Sequence, residues 1–188
     1  MSSSLFRWSG LASVLSGLAL IISALVPVLL GSNLLAGTIG VLAPVLGLWG
    51  VAGLHFRQRE KSGQLGMLGY ILNSFGLALI VGVAFANVFV VQQLAAAAQQ
   101  QVLAGPARLA FLISSLIFLV GSVLFGIALL KARVFSPIAT VLYIIGFVLL
   151  SLFAFLPPIA NTIGGVVAGI GVLWLGYELW SGKGATAM

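Results

Sequence analysis

The sequence predicts an all-α membrane protein, a compact bundle of six transmembrane helices that also divides into three helical hairpins. Three observations carry this. The chain is 62% apolar and 5% charged, with a mean hydropathy of +1.28, whereas soluble domains hold about 25% charged residues. Six apolar stretches, at about 20 residues per crossing, consume most of its 188 residues. The few charges gather in every second gap between those stretches. Strands of a membrane barrel would alternate over segments of about 10 residues, and nothing alternates here.

The expected spans are 11–30, 37–56, 65–91, 109–130, 138–155 and 159–179, in one domain covering 1–188 with no room for a separate soluble part. The first follows an N-terminal stretch whose one charge is Arg7. Its apolar run exceeds the ~7–15 residues of a cleavable signal, so a retained span is expected. Pro27 and Pro44 fall inside spans one and two. Spans four and six have no matching break, which argues for tolerated kinks over the paired broken helices of a transporter. The third span runs into 92–101, QQLAAAAQQQ, which holds strong helix formers and no breaker before Gly105-Pro106. A helix is expected to continue there past the bilayer or turn along its surface.

Lys and Arg in short loops set orientation. Arg7, Arg57, Arg59, Lys61, Lys131, Arg133 and Lys183 all fall on one side, and Arg108 alone falls on the other. Both termini are therefore expected in the cytoplasm. Net charge +6 would suggest nucleic acid only if the basic residues formed an exposed patch. Here they flank apolar spans, so anionic lipid is the expected contact, at about 1 kcal/mol per cation, and no nucleic acid is. The absence of cysteine removes disulfides, thiolate metal sites and cysteine nucleophiles.

A faint repeat runs through the chain. GLALI at 17–21 recurs at 76–80, Ile144-Ile145-Gly146 holds the matching place in span five, and the second, fourth and sixth spans end alike. Small and hydroxyl residues also align at helical spacing, as expected where helices associate in lipid by close packing. Ser9, Ser13, Ser16 and Ser23 share one arc; Gly37, Gly40, Pro44 and Gly47 another; Gly66, Gly69, Asn73 and Gly76 a third, continued to Asn87. Ser115, Ser122 and Gly126 align in span four, Ser136, Thr140, Tyr143 and Ser151 in span five, and Asn161, Gly165, Gly169 and Gly176 in span six. These read as packing faces, and a polar pathway lined by Asn73, Asn87, Tyr143 and Ser151 is the sharper alternative.

Few residues can carry chemistry. The two carboxylates, Glu60 and Glu178, both fall at the cytoplasmic rim, not within the bilayer where proton-coupled carriers hold theirs. Glu178 is expected to pair with a neighbouring cation, Arg57 in the first instance. His55, the single histidine, is the one candidate cofactor ligand. A b-type haem usually takes a second axial ligand, so a rim histidine bonded to Glu178, Tyr70 or lipid is the plainer reading. Trp8, Trp49, Trp174, Trp180 and Tyr177 gather towards the cytoplasmic ends as an aromatic belt. No catalytic residue, metal ligand or bound cofactor is expected.

The motifs GLHFRQREKSGQLG (53–66), LFGIALLK (124–131) and WLGYELW (174–180) resemble those of a loose group of bacterial six-span membrane proteins of no assigned activity. The resemblance implies a bacterial cytoplasmic (inner) membrane and a compact six-helix bundle, and brings no functional residue with it. The functional expectation is a non-enzymatic accessory or scaffold subunit that packs against lipids, other membrane proteins or itself, with no continuous cavity. A small carrier or channel for a neutral or lipophilic solute is the alternative, and a pigment- or haem-associated subunit is a second. An enzyme is not expected, because general acid–base work needs a titratable group within reach of a substrate.

Overall fold

The long runs of Leu, Ile, Val and Ala with no charge between them fold as helix almost throughout. The computed structural model describes residues 3–31, 34–152 and 155–182. In order these form α1 (Ser3–Leu30), α2 (Leu34–Phe89), a 3-10 turn (Val91–Gln93), α3 (Ala96–Ala104), α4 (Pro106–Ala132), α5 (Pro137–Ser151) and α6 (Pro158–Trp180), with no strand among the described residues. α1, α2, α4 and α6 are long and apolar enough to cross a membrane, and α5 is shorter at 15 residues. The expected span 138–155 therefore overruns α5, and its residues 153–154 lie outside the described residues, as does Lys183.

The loop expected between 56 and 65 is a correction. Arg57 to Ser62 continue the helix, because Arg, Gln, Glu and Lys are good helix formers. Only Gly63 departs from helical geometry, at φ 54° and ψ −149°. That one residue folds α2 back on itself: His55 stacks on Tyr70, Gly47 lies against Leu77 and Gly37 against Val88. The arms 34–62 and 64–89 are thus antiparallel neighbours. A Cβ on Gly63 would meet nothing within 4 Å, so its constraint is conformational, in a region that is essentially glycine's alone. Gly63→Ala is expected to cost about 1–3 kcal/mol, read as a lowered thermal midpoint in detergent; an unchanged midpoint would refute the strain.

The 92–101 segment turns. Leu94 and Ala95 are extended between the 3-10 turn and α3. The glutamines explain the break, since Gln93 Nε2 donates to the Val88 carbonyl at 3.0 Å and Gln99 Nε2 to the Leu94 carbonyl at 2.9 Å. These side chains supply donors where helix ends leave carbonyls unbonded. Gly105 then ends α3 and Pro106 opens α4, where its missing N–H costs nothing.

Small residues decide which helices are neighbours. Between α1 and the first arm of α2 the serines meet the glycines: Ser9 at Gly53, Ser13 at Gly50, Ser16 at Gly47 and Ser23 at Gly40. Ser16 Oγ also donates to the Ala43 carbonyl at 2.7 Å. The other side of α1 sets Gly10 and Gly17 against Gly176 and Gly169 of α6. Gly69, Gly76 and Gly121 bring the second arm of α2 onto α4, Gly126 packs α4 on α5, and Gly146 and Gly171 pack α5 on α6. Every pair is antiparallel, and the α1–α6 contact closes the ring. Arg7, Arg57, Arg59, Lys61, Lys131 and Arg133 consequently sit at one end, and Arg108 at the other.

Candidate functional site

A ring of six helices, with neighbouring axes about 8–10 Å apart, encloses an axial space that only large side chains can fill. At the basic end it is filled. Leu54, Phe125, Leu129, Leu175 and Leu179 are at most 3% exposed and pack together there. Towards the α3 end the inward positions are small, including Gly40, Ala43, Gly47 and Ala84, and a cavity of about 470 Å³ remains. Its size falls in the range of small-molecule sites, roughly 300–1,000 Å³.

Every long helical segment contributes to its wall. Pro44, Gly47, Val51 and Leu54 recur at helical spacing on the first arm of α2, and Leu77, Ile80, Ala84 and Asn87 on the second. α4 supplies Phe111, Ser115 and Phe118, α5 supplies Tyr143, Phe147, Leu150 and Ser151, and α1 supplies Ser13, Ser16 and Leu20. Val172 comes from α6, and Leu103 of α3 reaches the wall from the connecting segment. The aromatic side is tightly arranged: Phe147 stands edge-on to Phe118 at 5.0 Å and to Tyr143 at 4.8 Å between centroids. Such T-shaped pairs are worth about 0.5–1.5 kcal/mol beyond their burial. They fix the ring of Tyr143.

The structure brings the four expected polar residues to this place. Asn73, fully buried, donates through Nδ2 to the Tyr143 hydroxyl at 2.7 Å, and Tyr143, Asn87 and Ser151 line the cavity directly. Asn73 Oδ1 and Ser151 Oγ are buried with no hydrogen-bond partner. Ser13, Ser16 and Ser115 join the lining, although the sequence placed them only on packing faces. The signal was present, because a serine that faces one neighbour at i also flanks the bundle axis. Tyr143 is the one ionisable side chain among the described lining residues.

The rim residues lie elsewhere. His55 is 2% exposed, with its ring parallel to that of Tyr70 at 4.4 Å and edge-on to Phe56 at 5.5 Å. The structure does not bring Arg57 to Glu178. The Arg57 guanidinium sits over the Phe6 ring at 4.1 Å, and Glu178 Oε2 accepts the Ser136 backbone N–H at 2.7 Å. The carboxylate faces the start of α5, while the cation faces α1. Gln58, placed by sequence in a loop, is 1% exposed with both amide atoms unpartnered. It extends the inward stripe of Val51 and Leu54 by one turn, and the spacing 51, 54, 58 was the signal for it. No group of three or more His, Cys, Asp or Glu that could hold a metal occurs among the described residues.

Fold and site together define a class: an all-helical bundle with an apolar exterior and a largely apolar cavity on its axis. Comparison of the chain with family models, with curated proteins and with solved structures gives no match.

Proposed function

We propose that this is a bacterial inner-membrane protein that crosses the bilayer six times, with both termini in the cytoplasm, and binds and carries a neutral lipophilic solute in its axial cavity. The cavity is the observation that carries the reading. A scaffold subunit needs outward faces and no axial space, so the cavity favours the carrier alternative over the accessory one. The exterior supports membrane insertion: Leu29, Leu35 and Trp49 are 73%, 71% and 65% exposed, and Leu109, Leu116 and Ile138 are exposed with them. Lipid tails are the solvent such a surface suits. The α2 turn, with Arg57, Arg59 and Lys61 beside it, and the α4–α5 turn, with Lys131 and Arg133, fit the cytoplasmic face under the positive-inside rule.

The lining chemistry supports a neutral cargo. A charged molecule there would meet no counter-ion among the described lining residues, and breaking or withholding a partner from a buried charge costs roughly 3–5 kcal/mol. The same neutrality speaks against enzymatic acid–base work. Gentle extraction followed by mass spectrometry of retained small molecules tests the reading. The wild type is expected to retain a neutral lipophile that is absent from empty micelles, and Ala84→Phe, which fills the cavity from the second arm of α2, is expected to lose it by at least about tenfold. Equal retention by the two proteins, or retention by neither, would overturn it.

A further inference from the structure

The Asn73–Tyr143 pair gives the cavity a chemical preference. Asn73 Nδ2 donates to the Tyr143 hydroxyl, so the phenol oxygen is used as an acceptor and its own proton must go elsewhere. Nδ2 faces the phenol, and the amide's Oδ1, on its other side, is buried without a partner. Around the phenol stand the rings of Phe125 and Phe147, which offer no oxygen to accept the proton. Tyr143 lines the cavity, and the cavity is the direction left to it. Ser151, eight residues on and about 12 Å further along the same helix, adds a second hydroxyl whose oxygen is buried without a partner. Phe147 and Leu150 supply the apolar wall between them.

Resting on the carrier reading above, we infer that the cargo is a neutral lipophile bearing a hydrogen-bond acceptor, a ketone, quinone, ester or ether oxygen, which takes the proton of the Tyr143 hydroxyl while the apolar body lies along Phe147 and Leu150 towards Ser151. A pure hydrocarbon leaves that O–H unmet. An anion would accept the bond but finds no cation in the lining.

Two fluorescent probes test this on the full chain in detergent: propionyl-dimethylaminonaphthalene, a neutral ketone whose emission shifts to the red when its oxygen is hydrogen-bonded, and dimethylaminonaphthalene, which lacks the acyl group. After correction for micelle partitioning, the wild type is expected to bind the ketone about five- to tenfold more tightly than the comparator. In Tyr143→Phe the two affinities should come within about twofold of each other, and the bound ketone should emit further to the blue. Removing the phenol alone strands the Asn73 amide. The double variant Tyr143→Phe, Asn73→Leu leaves neither partner unmet and carries the same expectation, whereas Asn73→Leu alone keeps the hydroxyl and should keep the preference. Equal wild-type affinities for the two probes, with Ala84→Phe losing both, would overturn the acceptor inference and leave the cavity reading standing. Saturable binding of neither probe by the wild type would overturn both.

Discussion

Gly121→Leu is expected to abolish the folded bundle, while Gly82→Leu leaves it intact. A Cβ on Gly121 would lie 2.5 Å from the Leu72 carbonyl carbon and 2.7 Å from Asn73 Cα. Both are backbone, so no side chain can swing aside and the helices themselves must part. Gly69 against Phe125 and Gly76 against Phe118 lie on the same line of contact between the second arm of α2 and α4, with clearances of 2.7 Å and 2.5 Å at the nearest backbone atom. Parting at Gly121 therefore opens all three. Overpacking one site costs about 1–3 kcal/mol and sometimes more, and with three contacts moved together a loss of at least about 3 kcal/mol is expected. Gly82 is exposed and has nothing within 4 Å of the added atom, so leucine there gains up to about 1 kcal/mol of helix propensity. Size-exclusion profiles and thermal unfolding in detergent distinguish the two. A Gly121→Leu protein that melts like the wild type would contradict the packing described.

Glu178→Ala is expected to cost about 2–4 kcal/mol by releasing the start of α5 from the end of α6. A carboxylate near the C-terminal end of its own helix works against that helix's dipole, so a different partner must justify Glu178, which is 3% exposed. One partner lies on the adjacent wall of the ring: Oε2 accepts the Ser136 N–H. Ser136 is the N-cap of α5, its own Oγ accepting from the Ala139 N–H at 3.4 Å. There the negative charge suits the helix N-terminus. A hydrogen bond to a charged group is worth about 1.5–3 kcal/mol, and the dipole adds about 0.3–1 kcal/mol. Glu178→Gln keeps an acceptor without the charge and should fall between. Thermal midpoints of the three proteins check this, and equal loss from Gln and Ala would show that charge, not the bond to Ser136, governs the site.

Much of the packing was legible because it is local in origin. Ser9, Ser13, Ser16 and Ser23 share an arc whatever lies opposite, and the arc does meet another helix. The same holds for Gly66, Gly69 and Asn73, and for Gly165 and Gly169, which meet α1. The glutamine run was legible as helix-forming with a turn as one alternative, whereas the two backbone carbonyls its side chains serve at the bend were not foreseen. The reversal between 56 and 65 was expected as a loop, and its confinement to Gly63 was not. A charged stretch between apolar ones looks like a loop, but Arg57, Gln58, Arg59, Glu60 and Lys61 all favour helix. The expected Arg57–Glu178 pair failed because opposite charges at one end of a bundle need not point to the same gap.

Asn73 and Tyr143 were each assigned to an interior face, yet nothing within either segment could bring them into contact, 70 residues apart in sequence. Composition and 3.6-residue periodicity are properties of single segments, and they sufficed to fix the apolar runs as helix, most of their inward faces and the gathering of charge in alternate gaps. Whether the middle of the ring is full or empty depends on how six such faces add up at each level. Leucines and phenylalanines coincide at the basic end and close it; alanines and glycines coincide nearer α3 and do not. That sum exists only after glycine contacts have set the distance between helices, so the cavity, the residues that line it and the pairing inside it were decided by the tertiary structure alone.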